Sequence, residues 1–156
     1  MSGRTKLLLA VVGLGVVLVV LATIRGGDSE LRYVAPEAER EEVDAGSPGP
    51  SLGDMTVFSG PLLEDGEEAG RVDGSCLVTS RPDDQEERRW RCGVTLTIGV
   101  EDGEEELQLA AVGRAEADDV IFSIVGGGGQ YREARGDATF DYTDPDRAEI
   151  TVRLKD

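Results

Sequence analysis

An antiparallel all-β domain, either a barrel or a sandwich, is the fold this sequence predicts. Three observations carry it. From Gly53 onward the apolar residues recur with a period of two rather than 3.6. The alternating runs are short and are separated by acidic or glycine-containing turns, with no helical segment between them. Finally, the run Ser123-Ile124-Val125 enters four glycines, Gly126 to Gly129, after which alternation resumes. Glycine lets other backbone approach closely, so this block reads as a tight strand–turn–strand joint. It is not a phosphate loop, which would need a lysine and a hydroxyl residue opening a helix.

The elements follow in order. Residues 7–24 form an apolar run without a charge, preceded by Arg4 and Lys6 and followed by Arg25. Eighteen helical residues rise roughly 27 Å, close to the thickness of a bilayer core. Residues 1–25 are therefore a signal peptide or an uncleaved signal anchor. Val20 and Ala22 suit cleavage, whereas the length of the run suits an anchor. Positive charge ahead of the run and acids behind it put the N-terminus in the cytoplasm and the rest outside. The expected location is the extracytoplasmic face of the cell envelope, single-pass with the N-terminus inside, or the secreted fraction. Residues 26–52 read as an acidic, Pro/Gly-rich linker. Pro36 to Glu42 is charged, and Gly46-Ser47-Pro48-Gly49-Pro50 cannot hold a helix or a central strand.

The remaining residues, 53–156, form the domain. A first strand surrounds Met55 and Val57. Alternation then continues through Val72, Gly74, Cys76 and Val78, and through Trp90, Cys92, Val94, Leu96 and Ile98. It runs on through Leu107, Leu109 and Ala111; through Val120, Phe122 and Ile124; through Ala138, Phe140 and Tyr142; and through Ile150, Val152 and Leu154. The turns fall at 81–87, 101–106, 116–119 and 143–146.

One register can be fixed from the sequence. If Cys76 lies opposite Cys92 in a hairpin, then Val78 meets Trp90, Gly74 meets Val94, Val72 meets Leu96 and Gly70 meets Ile98. Every apolar residue then lands on its partner's face, and a slip of one residue destroys the match. In an oxidising compartment these two cysteines read as one disulfide. In the chain-entropy model, closing a loop of about 16 residues is worth about 3 kcal/mol.

Composition excludes several functions. The chain has 156 residues and a formal net charge of −16. Removing residues 1–25 takes away three basic residues and no acid, so the exported part is more acidic still. Such a field repels nucleic acid and anionic lipid. There is no histidine, which excludes Ser-His-Asp and Cys-His catalysis and histidine-based metal sites. Two cysteines are too few for a thiolate metal site. Asp141, Asp144 and Asp146 lack the spacing of a calcium loop and read as a turn. No metal and no cofactor is expected.

The glycine block also carries a resemblance. Val125-Gly126-Gly127-Gly128-Gly129-Gln130-Tyr131-Arg132-Glu133-Ala134-Arg135-Gly136 resembles the hallmark of the dirigent and allene-oxide-cyclase-like barrels, except that Gly128 stands where the family usually has Thr or Ser. Gly53-Asp54, Phe58, Gly60, Leu62, Gly66 and Gly70 form a second matching block, and Gly74 with Cys76, then Cys92-Gly93, a third. Residues 53–154 are covered. The resemblance implies an exported bacterial member with an eight-stranded antiparallel barrel, a small apolar cavity and a homotrimeric state. It implies a binder of a small apolar molecule, or an isomerase or cyclase acting on a reactive apolar substrate. A structural envelope domain with a filled interior is the third reading.

The site candidates are Glu64 and Asp65, where dirigent-like relatives place a functional acidic pair, Arg114 at a strand end, and Tyr131 and Tyr142. Each also has a plain reading. Glu64-Asp65-Gly66 suits a hairpin turn, Arg114 a solvated strand end, and Tyr131 a cover over the barrel end. No catalytic set transfers position by position. With only three Phe, three Tyr and one Trp, aliphatic cavity walls are expected.

Overall fold

The computed structural model describes residues 29–36, 38–46, 51–80, 88–99, 105–114, 119–144 and 146–155, Arg114 by its backbone alone. The apolar run 7–24 and the turns at 81–87, 101–104 and 115–118 lie outside the described residues. Among the described residues no helix is long and apolar enough to cross a membrane.

The strands are β1 (Ser29–Pro36), β2 (Glu39–Val43), β3 (Met55–Glu64), β4 (Glu67–Ser80), β5 (Arg89–Ile98), β6 (Glu105–Arg114), β7 (Asp119–Gly127), β8 (Arg135–Asp141) and β9 (Arg147–Lys155). They pair antiparallel in the order β1-β9-β8-β7-β6-β5-β4-β3-β2, and a β1–β3 contact closes the barrel. The closed barrel has eight strands, β1 and β3 to β9, with β2 an added strand along β3. The joint after Val125 is a strand end followed by one 3-10 turn, Gly129–Tyr131. A Cβ on Gly127 would collide with the carbonyl oxygens of Glu106 and Tyr131, so only glycine admits this turn.

The β4–β5 register is the one the sequence fixes, from Gly70↔Ile98 through Cys76↔Cys92 to Val78↔Trp90. The cysteines are bonded, with Cα atoms 4.1 Å apart. Inward residues of every barrel strand form one core. Leu62, Leu96, Leu107 and Val152 are 0% exposed. Burial of such a side chain contributes roughly 1.5–3 kcal/mol. Phe122 and Phe140 meet at 4.7 Å between ring centroids, tilted by 50°.

The expected linker over 26–52 requires correction. It contains β1 and β2, and β1 pairs along its whole length with β9, from Ser29↔Leu154 to Pro36↔Arg147. Leu31, Tyr33 and Ala35 alternate inward, and Tyr33 and Ala35 are buried. The physical reason is that this two-residue period outweighs the surrounding charge, because the charged residues between them face solvent.

Candidate functional site

The barrel's two ends are built differently, and the difference begins at Pro36. Up to that residue β1 lies between β9 and β3; Val34 pairs with Glu149 of β9 and Leu63 of β3. Beyond it the chain continues as β2, which pairs only with β3, from Glu39↔Ser59 to Val43↔Met55. Strand β9 begins at Arg147, opposite Pro36, so among the described residues β2 has no neighbour on its other side. A cavity of about 220 Å³ lies in that gap. Ala35, Pro36, Ala38 and Arg40 line one side. Phe140, Tyr142, Asp146, Arg147 and Ala148 line the other, with Phe58 and Val72 also in its walls.

The walls are aromatic in part, which corrects the expectation of aliphatic ones. Phe58, Phe140 and Tyr142, three of the seven aromatic residues, gather here. Composition reports how many rings exist, not where strand register collects them. Gly74 sits opposite Phe58, and a Cβ there would strike the tip of the Phe58 ring. Phe140 and Tyr142 are two residues apart at the end of β8, with ring centroids 6.3 Å apart.

The rim is polar. Arg40 is paired with Phe58 across β2–β3, so it shares the cavity face. Burial raises the Tyr142 hydroxyl above the usual tyrosine range, and the nearby Arg40 guanidinium pulls it back. Arg147 is held by Asp144 at 3.1 Å and Glu149 at 3.3 Å. The 141–146 turn is bonded locally. Asp141 accepts from the Thr143 amide at 2.8 Å, and Asp144 accepts from the Asp146 amide at 3.0 Å. Among the described residues no cluster has the make-up of a metal site.

Of the sequence candidates, Tyr142 lines the cavity. Arg114 ends β6 opposite Arg89, at the same end of the barrel; its side chain lies outside the described residues. Glu64, Asp65 and Tyr131 sit at the other end. Asp65 (φ 51°) and Gly66 (φ 88°) make the two-residue turn between β3 and β4, in which Glu64 pairs with Glu67. Tyr131 closes the 3-10 turn and packs on the core. Tyr33 is 5% exposed, and its hydroxyl is pushed up to about 12 by burial, then by Tyr131 and Glu64. Burial likewise raises Tyr131, followed by Glu105 and Glu64. Both phenols are therefore held protonated at neutral pH. One Glu105 carboxylate oxygen is buried at this end without a hydrogen-bond partner among the described residues.

Residues 34–154 match the family described as allene oxide cyclase barrel like domain. The chain belongs to that family. Among solved structures it is similar to a pyocyanin demethylase, at 25% identity and a TM-score of 0.69 over 81% of this chain and 100% of that one. It is also similar to the pterocarpan synthase dirigent protein GePTS1, at 21% identity and a TM-score of 0.59 over 82% and 86% of the two chains. The Diels Alderase AbmU from Streptomyces koyangensis shares the fold at 16% identity and a TM-score of 0.62, over 81% of this chain and 64% of that one. Among curated proteins no match is found.

Sequence reasoning missed Arg40, Phe58, Phe140 and Arg147 as cavity residues. The signal for Arg40 was available. The alternation Leu31-Tyr33-Ala35 announces a strand, and only its continuation past Pro36 brings Arg40 to the mouth.

Proposed function

We propose that this barrel binds a small apolar molecule in the cavity between β2 and the β8–β9 turn. The observation that carries this reading is the 220 Å³ opening itself, walled by Phe58, Phe140, Val72 and small alanines, with Arg40, Tyr142, Asp146 and Arg147 as a polar rim. Pockets of this make-up hold apolar ligands and fix them with few polar groups. A purely structural barrel would fill both ends with side chains. The reading also fits the similarity of this chain to solved structures of a pyocyanin demethylase and of a nonspecific heme-binding cyclase.

The test is native mass spectrometry of the full chain, released gently from detergent, with a melting-temperature screen against phenolic, polycyclic and fatty ligands. A retained small molecule, or a melting temperature that rises with ligand concentration, supports the proposal. A bare mass with no shift across the panel overturns it.

A second reading, an isomerase or cyclase, is favoured by one feature: Tyr142 beside Arg40 at the mouth. A neutral phenol next to a guanidinium can donate to an oxygen on which negative charge develops. Turnover of a bound ligand that fails in Tyr142→Phe, with binding kept, would select this reading.

For location and assembly we propose the extracytoplasmic face, held by residues 7–24, and a homotrimer. The Cys76–Cys92 bond supports an oxidising compartment. Val112, Ile121 and Val125 on the outer wall of β6–β7 are 70%, 65% and 59% exposed, an apolar face suited to self-association. Light scattering of the full chain in detergent, before and after Val112→Glu, tests the trimer.

A further inference from the structure

We propose that Arg40, with the Tyr142 hydroxyl beside it, is a head-group site, so that the ligand of this cavity is an apolar molecule carrying one oxyanion. This rests on the binding reading above and names the chemical class of its ligand.

The placement of Arg40 comes from register. In β2 it pairs with Phe58, a cavity wall residue, whereas its neighbours Glu39 and Glu41 pair with Ser59 and Val57 on the opposite face. Ala38 precedes Arg40 on the cavity side and, with only a methyl for a side chain, lines the cavity beside it. Glu42, next on that face, lines a separate depression with Val43, Met55 and Val78.

The charges around the mouth single Arg40 out. Arg147 also lines the cavity, but Asp144 and Glu149 already hold it. Asp146 is the one carboxylate among the described lining residues. Among the described residues Arg40 forms no ion pair within 4.0 Å, so of the two lining guanidinium groups it is the one not held by a carboxylate. Its charge acts on the Tyr142 hydroxyl, which lines the same cavity.

The chain carries a net charge of −16, yet among the described residues this lining guanidinium has no carboxylate within ion-pair distance. Here it has a use. The chain's overall field repels an anion, and beyond a Debye length of about 8 Å salt screens that field. At the mouth the nearest charge decides. A guanidinium and a neutral phenol together supply several donors to the oxygens of one carboxylate or sulfonate or to the single oxygen of a phenolate, and none to a cation.

The test uses two probes of the same shape, 2-naphthoate and its neutral analogue 2-naphthamide, titrated calorimetrically into the full chain in detergent. The proposal expects naphthoate to bind about tenfold tighter than the amide, a difference of about 1.4 kcal/mol. The preference should shrink as salt is raised, because the guanidinium is exposed. In Arg40→Gln the two probes should bind within about twofold of each other, the loss falling chiefly on naphthoate. Tyr142→Phe should weaken naphthoate alone. Equal binding of both probes to the wild type, or a preference that survives Arg40→Gln, overturns the head-group site while leaving the cavity reading intact. Failure of both probes to bind overturns the cavity reading, and the head-group site falls with it.

Discussion

The two ends of this barrel share strands, core and disulfide, yet they solve opposite problems. At the end formed by the β3–β4 turn and the 3-10 turn, backbone is drawn inward and side chains close the bore. Gly70 and Gly136 stand opposite Ile98 and Leu154, and a Cβ on either would collide with a carbonyl oxygen, of Thr97 or Arg153. Tyr33, Tyr131, Ala134 and Leu154 pack into the narrowed space. At the other end the wall parts. Beyond Pro36 the chain parts from β9, among the described residues β2 pairs with β3 alone, and Phe58, Phe140 and Tyr142 face a cavity. One end is built for closure and the other for access, and the same inward alternation serves both. Substitutions should therefore divide by end: stability at the closed one, ligand affinity at the open one.

The largest effect tests closure. Gly136 has φ 140°, in the region side chains avoid, and its Cβ position is occupied by Arg153 backbone. Gly136→Val must move β8 off β9, and the cooperative thermal transition is expected to disappear, since a domain has only about 5–15 kcal/mol to lose. Gly74→Ala is the open-end counterpart. Its Cβ meets the tip of the Phe58 ring, which can turn toward the cavity. A loss of about 1–3 kcal/mol in urea denaturation is expected there. Equal losses at the two sites would break the comparison.

Next come core and cavity. Leu96→Ala removes a side chain that is 0% exposed, and about 2–5 kcal/mol should be lost. Ala148→Leu adds volume where the structure has room, at the cavity wall. It should change stability by less than about 1.5 kcal/mol and abolish ligand binding in calorimetry. If Ala148→Leu destabilises as much as Leu96→Ala, the opening is not available space.

The disulfide lies between these regimes. Cys76 and Cys92 face inward on β4 and β5, and reduction should cost about 3 kcal/mol by the loop-closure argument. The chemical-denaturation midpoint with and without reductant measures it. A loss below about 1 kcal/mol would mean that strand pairing alone holds the hairpin.

Much of the closed end was legible in the sequence, and most of the open end was not. Seven of the eight barrel strands, the β4–β5 register and the glycine joint follow from a two-residue period, because that period is what a pleated strand with one buried face requires. The eighth strand lies in Ser29–Pro36. Its inward residues are only Leu31, Tyr33 and Ala35, set among prolines and acids that by themselves read as a linker. Without that strand the break at Pro36 cannot be seen, and the cavity is defined by the break. Glu64, Asp65 and Tyr131 were legible as features but gather at the closed end, since sequence order says nothing about which end of a barrel a turn occupies until all strands are counted. Arg40 can be placed only once the Leu31-Tyr33-Ala35 alternation is read as that strand.

The smallest effect sharpens the comparison through protons. Tyr33 in the closed end has its hydroxyl pushed up to about 12, chiefly by burial, against roughly 10 in an unfolded chain. The folded state thus keeps a proton that the unfolded state releases between those values. This stabilisation is fully present below about pH 10 and is lost as pH rises toward about 12, with a slope of up to about 1.4 kcal/mol per pH unit. Tyr33→Phe has no proton to lose, so its denaturation midpoint should fall less steeply across that window than the wild type's. Tyr142→Phe is the matched variant at the open end. Its hydroxyl is also raised by burial, but Arg40 opposes the shift and the residue is 38% exposed. Its removal should flatten the alkaline slope less than removal of the Tyr33 hydroxyl does. If Tyr142→Phe flattens it more, the open end is the better-sealed one, and the assignment of closure to the Tyr33 end is wrong.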